Sequence, residues 1–390
     1  MNLWQPKGAA VAKIFANARL VLKDDVVLGN LHIDDGLITS IDEDETPPSE
    51  AFDLDGDFLI AGLIDLHTDN LEKHYQPRKD VFWDSVNAAM SHDAQVIAAG
   101  ITTVFDSLTI GAARGWDVRS EMIQPMIDGL TEAHRQGLLR ADHFLHLRCE
   151  VTHPDIRSIV ERHIEHPLSR FTSLMDHAPG DRQSPDVSRY RKNNLAAFGH
   201  DSAELDRHIK DLITKSKTIA PGNRRTVAGL SRTHGIPLAS HDDASAEHMT
   251  EAAELGCVIA EFPTTIEAAA AGRALGLKVL MGAPNLIRGG SHSGNVAAHD
   301  LAKFGHLDLF ASDYIPSSML AAAFKLTEPP LSWPLPRAIW TVTGAPAEAA
   351  GLDRDRGELA AGLRADLAWI RCIEGRPVIR GVWRSGVRVL

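Results

Sequence analysis

Eight short runs of apolar and β-branched residues alternate with helix-forming stretches between residues 58 and 313. The runs are typical of buried strands, and the stretches between them, several rich in alanine, are typical of helices. This alternation favours a parallel sheet, and eight repeats favour a closed (β/α)8 barrel of the TIM type. A doubly wound open sheet is the alternative, although no Gly-x-Gly-x-x-Gly motif opens a helix. The runs cover residues 58–64, 100–106, 143–150, 171–177, 237–242, 257–262, 278–283 and 307–313.

Side chains that commonly bind metal ions stand at or just after the ends of several runs. The carboxyl ends of barrel strands meet at one rim, so such residues predict a divalent hydrolytic centre there. A single His or Asp at a strand end is more often a cap or a turn residue, but recurrence after separate strands favours the metal centre. The candidate metal ligands are His67, Asp69, Glu150, His177, His241 and Asp313.

The two ends of the chain have a different sequence pattern from the middle. Short strand-like segments separated by Asp- and Gly-containing turns occupy residues 18–41 and again 365–390. Neither end has enough strands for its own core, so we expect the two to combine into one small β-sandwich. The predicted domains are residues 1–57 plus 352–390 for the sandwich and 58–351 for the barrel. A polar stretch at about 181–223 reads as a partly helical insertion in the barrel.

Composition narrows the functional class. A formal net charge of −12 argues against a general nucleic-acid binder, which usually carries a basic face. Three widely spaced cysteines give neither a disulfide framework nor a structural zinc site. The sequence shows no signal peptide and no apolar segment long enough to span a bilayer, so we expect a cytoplasmic protein without a membrane partner.

Two motifs identify a family resemblance. Gly62-Leu63-Ile64-Asp65-Leu66-His67-Thr68-Asp69 resembles the first-strand signature of the amidohydrolase superfamily, and Gly362-Leu363-Arg364-Ala365-Asp366-Leu367 resembles the motif with which such chains re-enter their small domain. The resemblance narrows to the diphosphatases of the carbon-phosphorus lyase pathway of phosphonate metabolism, and it extends over nearly the whole chain. Further matching segments are residues 67–73, 91–93, 145–150, 240–243, 261–265, 282–285 and 288–295.

This chain departs from the superfamily pattern at two places. The first strand usually carries His-x-His, whereas here it carries His67-Thr68-Asp69. Compared with a site that has only imidazole ligands on this strand, the extra carboxylate increases the preference for manganese or magnesium. The usual bridging ligand is on strand four, whereas Glu150 falls on strand three by our count. Deacetylase relatives carry a glutamate on that earlier strand, which keeps Glu150 as the expected bridge.

The resemblance implies a metal-dependent hydrolase with a phosphorylated-sugar substrate. The expected reaction converts α-D-ribose 1-methylphosphonate 5-triphosphate into the 5-phosphate and pyrophosphate. Two divalent ions, zinc as the first expectation and manganese or magnesium as alternatives, would share Glu150 and bind His67, Asp69, His177 and His241. Asp313 would hold and deprotonate the attacking water, and so act as the catalytic base.

Several cations are candidates for binding the phosphates. Arg148 precedes Glu150 by two residues on the same strand face, so it either contacts substrate or orients Glu150. The loop after the seventh run could bring cations and backbone N–H groups to phosphate oxygens; its candidates are Arg288, Gly289, Gly290 and His292. A glycine-rich sequence is equally compatible with a loop that is only a flexible connection. The remaining candidates lie in loops after other runs: Lys73, Arg78 and Arg182. Charged side chains at such positions are equally often exposed to solvent without binding substrate.

Some alternatives stay open at this point. Glu261 is either a partner of the metal ligands or one half of a buried pair with an arginine, and His92 and Asp93 fit a helix cap better than a ligand role. A superfamily relative that cleaves a cyclic amide, an N-acetyl sugar or an aminopurine would use the same metals. A catalytically silent assembly protein would be expected to have lost ligands. The sequence leaves the oligomeric state open, a homodimer included.

Overall fold

The computed structural model describes residues 14–43, 49–111, 117–291 and 294–390, with the backbone alone for residues 117–119. The strands within these ranges are β1 (Ile14–Val21), β2 (Val26–Asp34), β3 (Leu37–Asp42), β4 (Phe52–Asp53), β5 (Phe58–Ala61), β6 (Leu63–Thr68), β7 (Ile101–Ile110), β8 (Asp142–Glu150), β9 (Ser169–Met175), β10 (Leu238–His241), β11 (Ile259–Glu261), β12 (Lys278–Gly282), β13 (Leu309–Ala311), β14 (Leu367–Ile373), β15 (Arg376–Arg384) and β16 (Val387–Arg388).

The helices within the same ranges mostly follow the barrel strands. They are α1 (Asn70–Tyr75), α2 (Ser85–Ala98), α3 (Asp117–Arg135), α4 (Ile156–Ile164), α5 (Val187–Asn194), α6 (Ser202–Thr218), α7 (Ala220–Thr233), α8 (Ala246–Leu255), α9 (Ile266–Ala274), α10 (Ala283–Arg288), α11 (Ala298–Lys303), α12 (Ser318–Thr327), α13 (Leu335–Trp340) and α14 (Gly344–Ala349), with a short 3-10 helix at Leu195–Phe198. None of the helices in the described ranges is both long and apolar enough to cross a membrane.

The central sheet is an eight-stranded parallel barrel, as predicted. Its strands run in chain order from β6 to β13. Backbone hydrogen bonds close the ring between its first and last members, because the Asp69 N–H donates to the Asp313 carbonyl (2.7 Å) and the Asp313 N–H donates to the His67 carbonyl (2.9 Å). Large side chains such as Phe105, Phe171 and Leu280 fill the interior, so the barrel is a packed core below its rim.

Strands from both chain ends form a second sheet. Its order is β16-β15-β14-β5-β1-β2-β3, with β4 beside β1, so β5 and β14 join the N-terminal and C-terminal halves. The sheet has its own apolar core, in which Phe15 packs edge-on against Trp383 at 4.7 Å between ring centroids. The predicted fold, a barrel with a small β unit built from both chain ends, is therefore confirmed; the exact domain boundaries remain a prediction.

The first apolar run needs a correction. The sequence suggested one barrel strand over residues 58–64, but the chain divides at Gly62 into β5 of the terminal sheet and β6 of the barrel. The Gly62 N–H donates to the Asp366 carbonyl (2.7 Å), whereas the next N–H, of Leu63, donates to the Gly100 carbonyl (3.0 Å). A continuous apolar run was misread as one strand because both sheets bury it equally.

Candidate metal centre

The predicted ligands meet at the rim formed by the carboxyl ends of the barrel strands. His67 lies in β6, His241 ends β10, and Asp69, His177 and Asp313 stand within two residues after their strands. All of them, with Glu150, line one cavity of about 870 Å³. The structure thus brings together the six side chains that the sequence singled out.

One group of ligand atoms joins the first and last strands. His67, Asp69 and Asp313 each offer a ligand atom within 4.8 Å of the others. The Nε2 atom of His67 is 3.7 Å from Oδ1 of Asp69. The two backbone hydrogen bonds that close the barrel connect these same three residues, so the position of the group is fixed by the closure itself.

A second group includes a residue that the sequence analysis did not propose. Asp242 joins His177 and His241 within the same 4.8 Å limit. Its Oδ2 is 3.3 Å from Nε2 of His241 and 3.8 Å from Nε2 of His177. This oxygen is buried and has no hydrogen-bond partner among the described residues. The sequence did contain a signal for Asp242 as a candidate ligand, because it directly follows His241 within a segment that resembles the family.

Strained backbone marks the rim. Asp242 and Asp313 have φ angles of 57°, and Phe262 has a φ of 54°. This left-handed region is costly for residues other than glycine, asparagine and aspartate, and it is often found at functional sites. Here it turns the chain sharply at the end of a strand, so that both aspartate side chains face the cavity.

Glu261 determines how two of the histidines face the site. Its two carboxylate oxygens accept hydrogen bonds from Nδ1 of His67 (2.7 Å) and Nδ1 of His241 (2.6 Å), which leaves Nε2 of each ring for the cavity. Burial alone would raise the pKa of Glu261, but the nearby rings of His67 and His146 hold it well below its usual value. Of the two readings left open for Glu261, the structure supports a partner of the candidate ligands.

Glu150 stands on β8, the third barrel strand, as counted from the sequence. One carboxylate oxygen accepts a hydrogen bond from Nδ1 of His177 (2.8 Å) and the other from Oγ1 of Thr152 (2.8 Å). Glu150 therefore holds His177 in the way that Glu261 holds His67 and His241. It is not in any of the ligand groups found among the described residues, so its role as a bridge between two ions stays a prediction.

The donor set fits divalent cations. Two ligands about 2.0–2.2 Å from the same ion lie about 3.0–3.6 Å apart at common coordination angles. The three ring-to-carboxylate separations, 3.3, 3.7 and 3.8 Å, are close to this range and long for hydrogen bonds. Imidazole nitrogens and carboxylate oxygens are ligands that zinc and manganese both accept. These residues can hold metal ions.

Arg148 is beside the metal-binding groups, and no hydrogen bond or ion pair with Glu150 is found among the described residues. Its Nη1 donates to Oδ1 of Asp69 (2.7 Å), and the side chain is almost fully buried. Burial alone would lower its pKa, but the surrounding carboxylates, Asp69 first among them, raise it. The suggestion that Arg148 orients Glu150 is therefore corrected. Arg148 forms an ion pair with Asp69 instead, because its guanidinium extends from β8 towards the end of β6. Its Nε has no partner among the described residues.

The other predicted substrate-binding residues are divided by the structure. Arg288, Gly290 and Lys73 line the cavity; Gly289 caps α10 beside it, and Nζ of Lys73 donates to the Tyr314 carbonyl (2.6 Å). Two arginines do not line the cavity: Arg78 lies in an exposed turn, and Arg182 forms a buried ion pair with Asp243. The positions of Arg78 and Arg182 in the sequence did not show that the first is exposed and the second is paired with Asp243. His292 lies outside the described residues.

The insertion contributes a cavity wall that the sequence analysis did not predict. Four residues of α5, spaced i, i+1, i+4 and i+5, face the cavity, and α6 adds two more. Burial and the nearby charge of Glu150 raise the pKa of the Tyr190 phenol, as expected if α5 lies over the metal-binding groups. These residues are Arg189, Tyr190, Asn193, Asn194, His208 and Leu212.

Comparison with known proteins supports the resemblance. No protein-family model matches the chain. The alpha-D-ribose 1-methylphosphonate 5-triphosphate diphosphatase of Escherichia coli (strain K12) is 43% identical over 377 residues, which covers 96% of this chain and all of that protein. A dihydroorotase of Thermococcus kodakarensis is 31% identical over 94 residues, 24% of this chain and 21% of that protein.

Solved structures share the fold at low identity. A 5-methylcytosine deaminase from Klebsiella pneumoniae liganded with phosphonocytosine has a TM-score of 0.66 at 15% identity, over 97% of this chain and 98% of that one. An N-acetylglucosamine-6-phosphate deacetylase from Pasteurella multocida has a TM-score of 0.61 at 14% identity, over 96% and 98%. These structures show that the chain shares their fold, and the full-length match above shows that it belongs to the family of the alpha-D-ribose 1-methylphosphonate 5-triphosphate diphosphatases.

Proposed function

We propose that this protein hydrolyses α-D-ribose 1-methylphosphonate 5-triphosphate to the 5-phosphate and pyrophosphate. The observation that carries the proposal is the 43% identity to the diphosphatase over all of that protein's length. The cavity is consistent with the reaction because it combines two groups of metal-binding side chains with arginines that could neutralise phosphate oxygens.

Two divalent ions fit the site, with zinc as the first choice and manganese or magnesium as alternatives. One would be held by His67, Asp69 and Asp313, and the other by His177, His241 and Asp242, with Glu150 orienting His177 or bridging the two. Bound there, the ions would lower the pKa of a water molecule and offset charge on the phosphoryl group.

Asp313 is proposed as the general base. Its carboxylate faces the cavity from the last barrel strand, where it would accept a proton from the water that attacks the phosphorus nearest the ribose. Glu261 would keep the Nδ1 protons of His67 and His241 in place, so that both rings present Nε2 to the site throughout the reaction.

Arg148 would bind the phosphoryl group from inside the cavity. Its Nη1 balances Asp69, and the guanidinium, which lines the cavity, would place positive charge and N–H donors beside a phosphoryl oxygen. A guanidinium so deeply buried is held in one position, which is what in-line phosphoryl transfer requires of the groups around it.

A direct assay tests the proposal. Purified protein with added zinc or manganese should release pyrophosphate from a ribose 5-triphosphate that bears the 1-methylphosphonate group. Dihydroorotate and N-acetylglucosamine 6-phosphate serve as comparison substrates. Hydrolysis of either without pyrophosphate release from the triphosphate would refute the proposal and favour an amide-cleaving enzyme.

A further inference from the structure

Several cations in and next to the insertion are paired with carboxylates. Arg182 pairs with Asp243 and Arg224 with Asp176 (2.6 Å), and these two buried pairs fix the segment to the barrel. Arg191 pairs with Asp206 (2.8 Å) and Lys215 with Asp211 (2.7 Å) at the surface. Arg189 differs, because it lines the cavity and no carboxylate of the described residues forms an ion pair with it.

The backbone of Arg189 is held in place at the start of α5. The Asp186 side chain caps the helix by accepting hydrogen bonds from the N–H groups of Ser188 (2.8 Å) and Arg189 (3.0 Å). Arg191, two residues further on, forms an exposed ion pair with Asp206 of α6, which adds little to the stability of the helix. The cap fixes the start of the helix, and the Arg189 side chain lines the cavity from there.

The Arg189 guanidinium reaches the opposite wall of the cavity. Its Nη1 would lie 2.9 Å from a Cβ atom placed on Gly294, in the loop that follows α10. Gly294 has a φ of +82°, a backbone conformation that favours glycine, and the guanidinium lies close to it. Arg288, at the end of α10, lines the same cavity.

The other cavity cations already have partners. Arg148 pairs with Asp69, and Lys73 donates to the Tyr314 carbonyl. In the proposed reaction the ions at the metal-binding groups would face the phosphorus that is attacked, and the two outer phosphates carry further negative charge that other cations must offset. Arg189 and Arg288 both line the cavity, and neither forms an ion pair with a carboxylate of the described residues.

We infer that Arg189 of the insertion, together with Arg288, binds the terminal pyrophosphoryl group of the substrate. The inference rests on the proposed function and assigns its substrate specificity: Arg189 of α5 and Arg288 of α10 would distinguish a triphosphate from a monophosphate. Guanidinium groups suit this role because each can donate two hydrogen bonds to one phosphoryl group.

The test compares Arg189→Met with Arg191→Met in the full-length, metal-loaded protein. Inorganic pyrophosphate is the probe, and its dissociation constant is measured by calorimetry. We expect Arg189→Met to weaken binding about ten- to a hundred-fold, as loss of charged hydrogen bonds would do. Arg191→Met removes a neighbouring exposed ion pair outside the cavity and should change binding less than about twofold.

Turnover provides the second readout. KM for the triphosphate should rise in Arg189→Met, and Arg189→Lys should recover part of the loss because it keeps the charge. Melting temperature and metal content are matched to wild type first, and the lysine variant carries the test if the methionine variant is unstable.

The outcomes separate the inference from the proposed function. Equal pyrophosphate affinity in the two methionine variants, or no pyrophosphate binding by wild type, overturns the inference even if the triphosphate is hydrolysed. Selective loss in Arg189→Met supports the anion site. If wild type then fails to release pyrophosphate from the triphosphate, the proposed function fails while the anion site stands.

Discussion

At the scale of single residues, buried carboxylates determine which nitrogen each histidine offers to the cavity. Glu261 takes the Nδ1 protons of His67 and His241, and Glu150 takes that of His177. A neutral imidazole protonated at Nδ1 has its lone pair at Nε2, which is the form a metal ion binds. The site thus depends on two glutamates as much as on the histidines.

Glu261→Gln should lower metal affinity about 10- to 100-fold. The amide has one oxygen and cannot accept from both rings, so one histidine loses its fixed tautomer. Affinity is measured by competition with a chromogenic chelator. Glu254→Gln, at an exposed glutamate of α8, should leave affinity unchanged. Wild-type affinity in a folded Glu261→Gln protein would show that the carboxylate does not orient the ligands.

Asp313→Asn should keep its metal at saturating concentration but lose turnover by about 10²- to 10⁴-fold, because the amide cannot accept a proton. Glu150→Gln should lose metal, since His177 is released or a bridge is removed. Metal content by mass spectrometry and pyrophosphate release distinguish the two roles. A fully active Asp313→Asn variant would assign the base elsewhere.

At the scale of elements, one glycine separates the two sheets. A Cβ at Gly62 would lie 2.2 Å from Oγ1 of Thr102, a side chain of the neighbouring strand β7. The chain can pass from β5 to β6 only because that space is left open. Junctions of this kind are strong constraints, since both flanking strands are already fixed by their own pairing.

Gly62→Ala should lower the free energy of unfolding by about 1–3 kcal/mol through overpacking. Gly229→Ala is the matched control: this glycine lies within α7 and a Cβ there meets nothing within 4 Å. It should raise stability by about 0.5–1 kcal/mol because alanine favours a helix. Urea unfolding measures both. Equal effects of the two substitutions would contradict the steric argument.

A buried network links α2 with β7 and β8 away from the metal-binding groups. His143 donates from Nδ1 to Asp106 (2.8 Å) and lies 3.4 Å, through Nε2, from Asp93. Burial alone would lower the pKa of His143, but the two carboxylates outweigh it and raise the pKa to about 10. Burial would likewise raise the pKa of Asp106, yet the histidine charges bring it to about 2.

This network predicts a pH-dependent contribution to stability. The folded-state pKa of His143 lies above its ordinary value of 6.5, so its contribution is complete below pH 6.5 and is lost as the pH rises towards 10. His143→Gln should cost about 3 kcal/mol at pH 6 and progressively less between pH 7 and 10. Unfolding curves of both proteins across this range provide the measurement. A pH-independent difference would show that His143 is neutral in the fold.

At the scale of the whole molecule, barrel closure and the candidate site coincide. The strands β6 and β13 meet through the backbone of His67, Asp69 and Asp313, which are also one candidate ligand group. An ion held there would connect the first and last strands of the barrel. Metal binding should therefore stabilise the whole fold as well as prepare the site.

Removing metal should lower the melting temperature by about 5–10 °C, and added zinc should restore it. Calorimetry with and without a chelator measures the shift. In a His241→Ala/Asp242→Ala variant, which lacks part of the second group, the shift should be smaller. Identical melting temperatures for stripped and reloaded wild type would mean that the ion contributes nothing to stability.

The sequence by itself determined the periodic features of this protein. Strand-forming and helix-forming patterns are local, so the eight-fold alternation predicted the barrel and the ends predicted the small sheet. Ligand-type residues at strand ends, such as His67 and His241, were also readable, because parallel strands bring their carboxyl ends to one rim.

Only the tertiary structure decided which side chains meet. Arg182 and Arg189 are similar in the sequence, but one is paired with Asp243 and the other faces the cavity. Glu261 pairs with two histidines from other strands, and Asp242 is turned into the site by its left-handed backbone. Such partners depend on contacts between residues far apart in the chain, and on burial and charge around them, which no local pattern encodes.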